Sequence, residues 1–238
     1  MRLDEREAHH AVHVMRLRAG DQVEILDGAG GVYDCRITTV HKSSVELQVI
    51  QQHSVPPLPW QITLFQALPK GKAFDLIVEK ATELGAHRVV PIRSERVVGD
   101  YEENERRLER WRLTAIDAIK QCGSPWLTMI DPPVSLKAAV DFIGGLDFTL
   151  VASLHPGAQH PGKWFQSVPL APRVNIGIWV GPEGDFSPDE MADLTKGGAW
   201  PITLGSLVLR AETAAIYCLS IINYEMQRRF DRGTELLA

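Results

Sequence analysis

Arg210 and Glu212 stand where a tight segment, Thr203-Leu204-Gly205-Ser206-Leu207-Val208-Leu209, opens into an apolar helix that begins near Ala211. A guanidinium beside a carboxylate can stabilise a developing anion and hold or accept a proton. The start of a helix favours negative charge, so an arginine there runs against the local dipole and points to function. An ion pair of Arg210 with Glu212 or with Glu183 that merely holds loops together explains the same residues. Upstream, Ile176-Gly177-Ile178-Trp179-Val180 reads as a buried strand that stops at Gly181-Pro182-Glu183-Gly184, and a further apolar strand, Asp147 to Leu154, runs into His155-Pro156-Gly157. In an open α/β sheet ligands lie beyond the carboxyl ends of the strands, and glycine turns let backbone amides approach them. Three such loops offer edge hydrogen bonds beside apolar side chains, which suits an adenosine-like ligand. They lack Gly-x-x-x-x-Gly-Lys and Gly-x-Gly-x-x-Gly, which argues against a triphosphate or a nicotinamide dinucleotide. Ordinary turns remain the alternative.

The elements that must position these residues fall into two parts. Residues 1–55 have β character: Asp21 to Leu26 and Val32 to Val40 alternate around Asp27-Gly28-Ala29-Gly30-Gly31, and Val45 to Ile50 follows Lys42-Ser43-Ser44. Short strands with glycine turns predict a small barrel. The glycine cluster lies between two alternating strands with no helix after it, so it is a hairpin turn, not a nucleotide loop. Gln51 to Pro59, with Pro56, Pro57 and Pro59, predicts a linker.

From residue 60 to 238 strands alternate with helices. Trp60–Leu68 and Arg88–Ile92 read as strands, and Phe74, Ile77, Val78, Ala81 and Leu84 recur at helical spacing before Gly85. A long helix from about Glu103 carries Leu108, Trp111, Ala115, Ala118 and Cys122 on one stripe. Ser187-Pro188-Asp189-Glu190 is a capped helix start. This alternation predicts an α/β fold with a mostly parallel sheet covered on both faces.

Composition excludes several classes. Hydrophobic residues make 45% of the 238-residue chain and charged residues 23%, ordinary for a globular protein. The net charge of −5 argues against indiscriminate coating of nucleic acid. Cys35, Cys122 and Cys218 are scattered, which fits a reduced, cytoplasmic chain without a disulfide framework or zinc site. No apolar run approaches the roughly 20 residues of a membrane span. His9, His10 and His13 do not share one helical face with a fourth ligand, so no metal is expected. Arg16 and Arg18 nearby read either as phosphate contacts or as solvated surface.

With these residues laid out, the chain resembles the RsmE family of ribosomal RNA methyltransferases in the SPOUT superfamily. The likeness rests on Gly181-Pro182-Glu183-Gly184 with Phe186-Ser187 and Glu190, and on Leu204-Gly205 with Val208-Leu209-Arg210 and Glu212-Thr213-Ala214. Lys80 to Gly85, Ser94-Glu95-Arg96, Gln121-Cys122-Gly123, Leu154-His155-Pro156, and His9-His10 with Val14, Arg16 and Gly20-Asp21 support it. The resemblance implies a C-terminal SPOUT-type parallel sheet with a deep trefoil knot, a rare exception to ordinary chain paths. It also implies a small N-terminal PUA-like β-barrel that binds RNA, and a homodimer. It implies S-adenosyl-L-methionine held by Leu154, His155, Gly181, Pro182, Glu183, Gly184, Leu204, Gly205, Leu207, Val208, Leu209, Thr213 and Ala214. The substrate is then N3 of one uridine in the decoding region of 16S ribosomal RNA in the small subunit. Arg210 and Glu212 are the catalytic candidates, and Arg16, Arg18, Lys70, Lys72, Arg93 and Arg96 the RNA-binding ones.

The chain departs from the family pattern at His13 and Ser124, where arginine is usual, at Asp185, where glycine is common, and in a short or absent first strand before Asp4. N3 methylation needs loss of a weakly acidic proton and no covalent thiol adduct, so Cys122 reads as structural. The competing readings are a SPOUT enzyme acting on transfer RNA or a ribose 2′-hydroxyl, a non-catalytic RNA-binding assembly factor, and, more distantly, a histidine-based metal hydrolase.

Overall fold

The structure is a computed structural model and describes residues 1–41, 43–96, 105–169, 171 and 173–230. The chain divides into two compact units, Met1–Pro57 with Gly123–Trp126, and Leu58–Cys122 with Leu127–Ala238.

In the first unit, helix α1 (Glu5–His9) is capped by Asp4, whose side chain accepts the Glu7 amide, and runs on as a π-helical turn over His10–Val14. Strands β1 (Gln22–Leu26), β2 (Gly31–Val40) and β3 (Val45–Ser54) form an antiparallel three-stranded sheet in that order. In place of a closed barrel the described residues form this three-stranded sheet, to which Arg2 adds an isolated bridge at Glu46. The expected hairpin is present: Asp27 Oδ1 accepts the Ala29 and Gly31 amides at 2.8 Å each. A register shift at Asp34/Cys35 changes the phase of β2, so Val32 and then Cys35 and Ile37 are buried. Cys35, Ile37, Val45 and Leu47 pack with Ala8 and Ala11.

Two features here depart from the sequence reading. β3 continues through Gln51–Ser54, because these residues pair with Gly31–Asp34, so the proline segment spans only 55–59. The segment Gly123–Trp126 joins this unit: the Trp126 indole donates to the Val55 carbonyl at 3.0 Å and the Gly30 amide to the Pro125 carbonyl at 2.9 Å. A Cβ on Gly30 would lie 2.5 Å from the Trp126 ring, so the contact requires glycine.

The second unit is a parallel sheet of β4 (Trp60–Ala67), β5 (Arg88–Arg93), β6 (Met129–Ile130), β7 (Val134–Ser135), β8 (Phe148–Ala152), β9 (Val174–Val180) and β10 (Trp200–Ile202). The order is β10-β8-β9-β4-β5-β6, with β7 also on β5, and every registered pair is parallel. Its helices are α2 (Ala73–Glu83), α3 (Glu105–Cys122), α4 (Leu136–Val140), α5 (Pro161–Ser167), α6 (Pro188–Lys196) and α7 (Ala211–Phe230). The expected onset of α3 at Glu103 lies outside the described residues.

Both sheet faces are covered, which is why these strands read as nearly continuous apolar runs. Alternate residues of β9, Ile176, Ile178 and Val180, join Leu64, Leu150 and the α2, α3 and α7 side chains Ile77, Trp111, Leu219 and Ile222. On the other face Trp179 stacks on Phe65 at 4.1 Å and meets Val151, Met191 and Leu194. Its indole donates to Thr149 Oγ1 at 2.9 Å. Trp111, Ala115 and Ala118 of the α3 stripe are buried as expected, whereas Cys122 is exposed. It is the last residue of the helix, past the turn that packs on the core.

Helix α7 is tied down along its C-terminal half. The Trp60 indole donates to Asn223 Oδ1 at 2.8 Å, and Asn223 donates to the Leu84 carbonyl. Farther on, Glu225 accepts from Arg228 and Arg229, and Arg229 also donates to the Phe165 carbonyl of α5. The hydrogen bond from Arg228 does most to hold the Glu225 carboxyl below its usual 4.5; burial opposes this and Arg229 adds to it. A depressed carboxylate stabilises the fold above its unfolded pKa, and that contribution disappears as pH falls through the folded value. Glu225→Gln should therefore lower the urea midpoint at pH 7, and the gap from wild type should close as unfolding is measured at successively lower pH below 4.5.

Candidate functional site

Strands β8, β9 and β10 end level with one another. Ala152 pairs with Val180 on one side and with Ile202 on the other, so Ser153, Gly181 and Thr203 leave the sheet at one height on three adjacent strands. The loops they begin line a hollow that opens to solvent.

Most of the residues expected to form one pocket do meet here. Leu154, Gly181, Pro182 and Glu183 line the hollow from the first two loops, and Leu204, Gly205, Leu207, Val208 and Leu209 from the third. Ala214 of α7 closes one side. His155, Gly184 and Thr213 sit just outside the lining, each on an exposed stretch. The sequence reading did not include Ala152, Ser153, Val180, Asp185 and Ala211, which also line it. Ala152 and Val180 are the last strand residues, and counting inward from each turn would have found them. Gly205 adopts φ +114°, a conformation that L side chains rarely take, so the third loop needs glycine at that point.

Carboxylates hold the loops in place. Asp185 has φ +61° and bonds two loops at once: Oδ1 accepts the Phe186 amide at 2.8 Å, and Oδ2 the Leu154 amide at 3.1 Å. A Cβ on Gly181 would stand 3.1 Å from Asp185 Oδ1, so the turn leaves little room for a side chain there. Glu183 Oε1 accepts the Lys70 amide at 2.9 Å. Glu190 closes a capping box with Ser187 at the start of α6. Its second oxygen accepts the Glu95 amide at 2.8 Å, fastening the loop to the end of β5.

The catalytic candidates stand at the rim. The Arg210 side chain is 86% exposed and approaches Glu212 Oε1 at 3.9 Å, a loose pairing that leaves the guanidinium available. The pairing with Glu183 weighed from sequence does not occur, since Glu183 bonds Lys70 instead. Of the basic candidates, Lys70, Lys72 and Arg93 are exposed around the ends of β4 and β5, while the Arg96 guanidinium donates to the Gly184 carbonyl. In the first unit Arg16, at φ +58°, and Arg18 are exposed. Cys218 is fully buried on α7, which pushes its thiol up to about 12 and makes it inert.

The Glu190 links set a stability test. Glu190 is 5% exposed and serves two backbone donors, so Glu190→Ala strands both. Urea unfolding should show a loss of about 2–3 kcal/mol.

Comparison with known proteins agrees with this geometry. Residues 56–223 match the family model described as an RNA methyltransferase domain, and residues 3–50 the one described as an RNA methyltransferase PUA domain. A relative from Mycobacterium tuberculosis (strain CDC 1551 / Oshkosh), ribosomal RNA small subunit methyltransferase E, is 31% identical over 92% of this chain and 84% of its own. The protein of that name from Bacillus subtilis (strain 168) is 30% identical over 93% and 88%. The crystal structure of a ribosomal RNA small subunit methyltransferase E from Neisseria gonorrhoeae bound to S-adenosyl methionine superposes with a TM-score of 0.84, at 26% identity, over 98% of this chain and 93% of that one. A level rim of three loops on a parallel sheet, a separate antiparallel unit and matches over nearly the full length carry one conclusion: the chain belongs to the RNA methyltransferase family that includes these ribosomal RNA small subunit methyltransferase E proteins.

Proposed function

We propose that this protein transfers a methyl group from S-adenosyl-L-methionine to N3 of a uridine in the decoding region of 16S ribosomal RNA in the small subunit, acting as a homodimer. The observation that carries the reading is the electrostatic character of the hollow. Among the described residues its lining holds two carboxylates, Glu183 and Asp185, and no lysine, arginine or histidine. Such walls repel phosphate and suit a nucleoside of net positive charge. The apolar Leu204, Val208 and Leu209 fit a flat base, and the amides of the glycine-bearing loops fit its edge. The residues present therefore suit the cofactor, with Gly181 to Gly184, Leu204 to Leu209 and Thr213-Ala214 as the segments that hold it.

When bound, the cofactor supplies an electrophilic methyl group on a sulfonium. The protein's own task is to bring the acceptor nitrogen into line and manage its proton; alignment alone contributes about 7–11 kcal/mol in favourable cases. N3 lies on the Watson–Crick edge, so the uridine must be unpaired or flipped before it can enter. Arg210, projecting from the end of the third loop, stabilises the uracil anion as N3–H is lost. Glu212, 3.9 Å away, either accepts that proton or orients Arg210. Exposed Arg16 and Arg18, and Lys70, Lys72 and Arg93, track the phosphates, while Arg96 supports the loop through the Gly184 carbonyl.

The dimer reading rests on apolar side chains left open. Leu207 and Val208 on the third loop are 75% and 74% exposed, and Tyr217 and Tyr224 of α7 are exposed with half-buried Ile221 on the same stripe. A second copy covering this stripe accounts for them. Threading of α7 in a trefoil path belongs to the same reading.

Incubation with labelled cofactor and small subunits lacking the modification, followed by nucleoside analysis, should yield N3-methyluridine; a 2′-O-methyl product or none overturns the assignment. Arg210→Ala should lower turnover about 10²–10³-fold while leaving cofactor affinity within about twofold, and unchanged turnover would remove Arg210 from the mechanism. Sedimentation should show a dimer for wild type, and Tyr224→Glu should shift it toward monomer.

A further inference from the structure

Asp185 is a side chain that the general reading of the pocket does not require. A glycine would take the φ of +61° without strain, and L residues seldom occupy it. Aspartate is among the better tolerated exceptions because its carboxylate can bond nearby amides, and here it does so twice, with one oxygen on Phe186 and the other on Leu154. Both bonds fix the carboxylate in the wall of the hollow.

The other acidic residue of the wall, Glu183, spends an oxygen on the Lys70 amide outside the first and third loops. Asp185 instead bridges two of the three loops, and no cationic side chain shares the lining with it among the described residues. Its charge is thus left for whatever the hollow holds. The two amides hold the carboxylate in place without placing a cation against it.

We propose that Asp185 is a specificity-determining residue for the cofactor: its fixed carboxylate favours the positively charged sulfonium donor over the uncharged thioether left after transfer. This rests on the reading of the hollow as the S-adenosylmethionine site. When the methyl group leaves with the acceptor nitrogen, the electron pair of the broken carbon–sulfur bond stays on sulfur, and the ligand's net charge falls by one. A carboxylate held in the wall loses its attraction for the ligand at that step. Donor is bound in preference to product, and product is released more readily. The two staples keep the carboxylate from swinging out to solvent, which would cancel the effect.

The test is calorimetric titration of the full chain with S-adenosylmethionine and with S-adenosylhomocysteine, for wild type, Asp185→Asn and Asp185→Gly, alongside melting of the unliganded proteins. Asparagine keeps the size, the tolerance of positive φ and one accepting oxygen, and removes the charge. Loss of one charge facing a cation across a partly solvated hollow corresponds to roughly tenfold in affinity. Asp185→Asn should therefore weaken the donor about tenfold and the thioether by no more than about twofold. Asp185→Gly should show the same preference loss with a lower melting temperature, since losing the bonds to the Phe186 and Leu154 amides outweighs the backbone strain that glycine relieves. A donor-to-thioether affinity ratio equal to that of wild type in both variants overturns the proposal, whether both ligands keep their affinity or lose it together. If Asp185→Asn fails to fold, the ratio in Asp185→Gly decides alone. Wild type that binds neither ligand overturns the underlying pocket reading, which is a separate result.

Discussion

Parallel pairing of β8 between β9 and β10 is the constraint from which the site follows. A parallel strand must be reached by a crossover, so each of the three strands finishes at the same edge of the sheet. Register then sets their heights: Ile202, Ala152 and Val180 are cross-strand partners, and the chain leaves the sheet immediately after each. Three loops starting level and about one strand spacing apart must either pack on one another or enclose a space. Glycine at 181 and 205, where a Cβ would be crowded or the backbone strained, tips this toward enclosure. The sheet that imposes the geometry is buried on both faces, by α2, α3 and α7 on one and by α4 and α6 on the other, so the rim stands on a rigid base.

Loops at such a rim carry backbone amides that sheet pairing no longer satisfies. Here acidic side chains take over that role. Glu190 serves the Ser187 and Glu95 amides, Glu183 that of Lys70, and Asp185 those of Phe186 and Leu154. Bonds from amides to a carboxylate are stronger than those between neutral partners, so the second loop is fastened on several sides. A loop fixed before a ligand arrives has less ordering to do on binding. The second loop is thereby set in place between the rigid sheet below it and helix α7 beside it.

Much of this could be read from the amino-acid sequence because local chemistry announces it. The Ser187-Pro188-Asp189-Glu190 cap, the Asp27–Gly31 hairpin and the strand-to-glycine transitions at Leu154, Gly181 and Thr203 depend on neighbours in the chain. What stayed hidden depends on residues far apart. Gly123–Trp126 belongs with the first unit because the Trp126 indole reaches the Val55 carbonyl, a partner 71 residues away. β6, β7, α4 and α5 are short, two to seven residues, and too brief to show a period. Gln51–Ser54 carries polar residues on an exposed stretch, so its pairing with β2 left no apolar alternation to find. Asp185 was visible as an oddity among glycines, but its two amide partners were not.

The arrangement of charge across the rim explains how an acidic chain can serve an anionic substrate. The walls of the hollow carry Glu183 and Asp185. The cations stand outside it: Arg210 at the third loop, and Lys70, Lys72 and Arg93 at the ends of β4 and β5, all exposed. If Arg210 paired tightly with an acid inside the wall, both the anionic lining and the cationic rim would be neutralised. The geometry avoids this, because Glu183 is taken by the Lys70 amide, Asp185 by two loop amides, and among the described residues Arg210 pairs with Glu212 at 3.9 Å. Under the proposed function a positively charged donor is drawn inward and a phosphate-bearing strand is held at the edge. Methyl donor and acceptor base would then meet at the boundary between the two regions, where Arg210 stands.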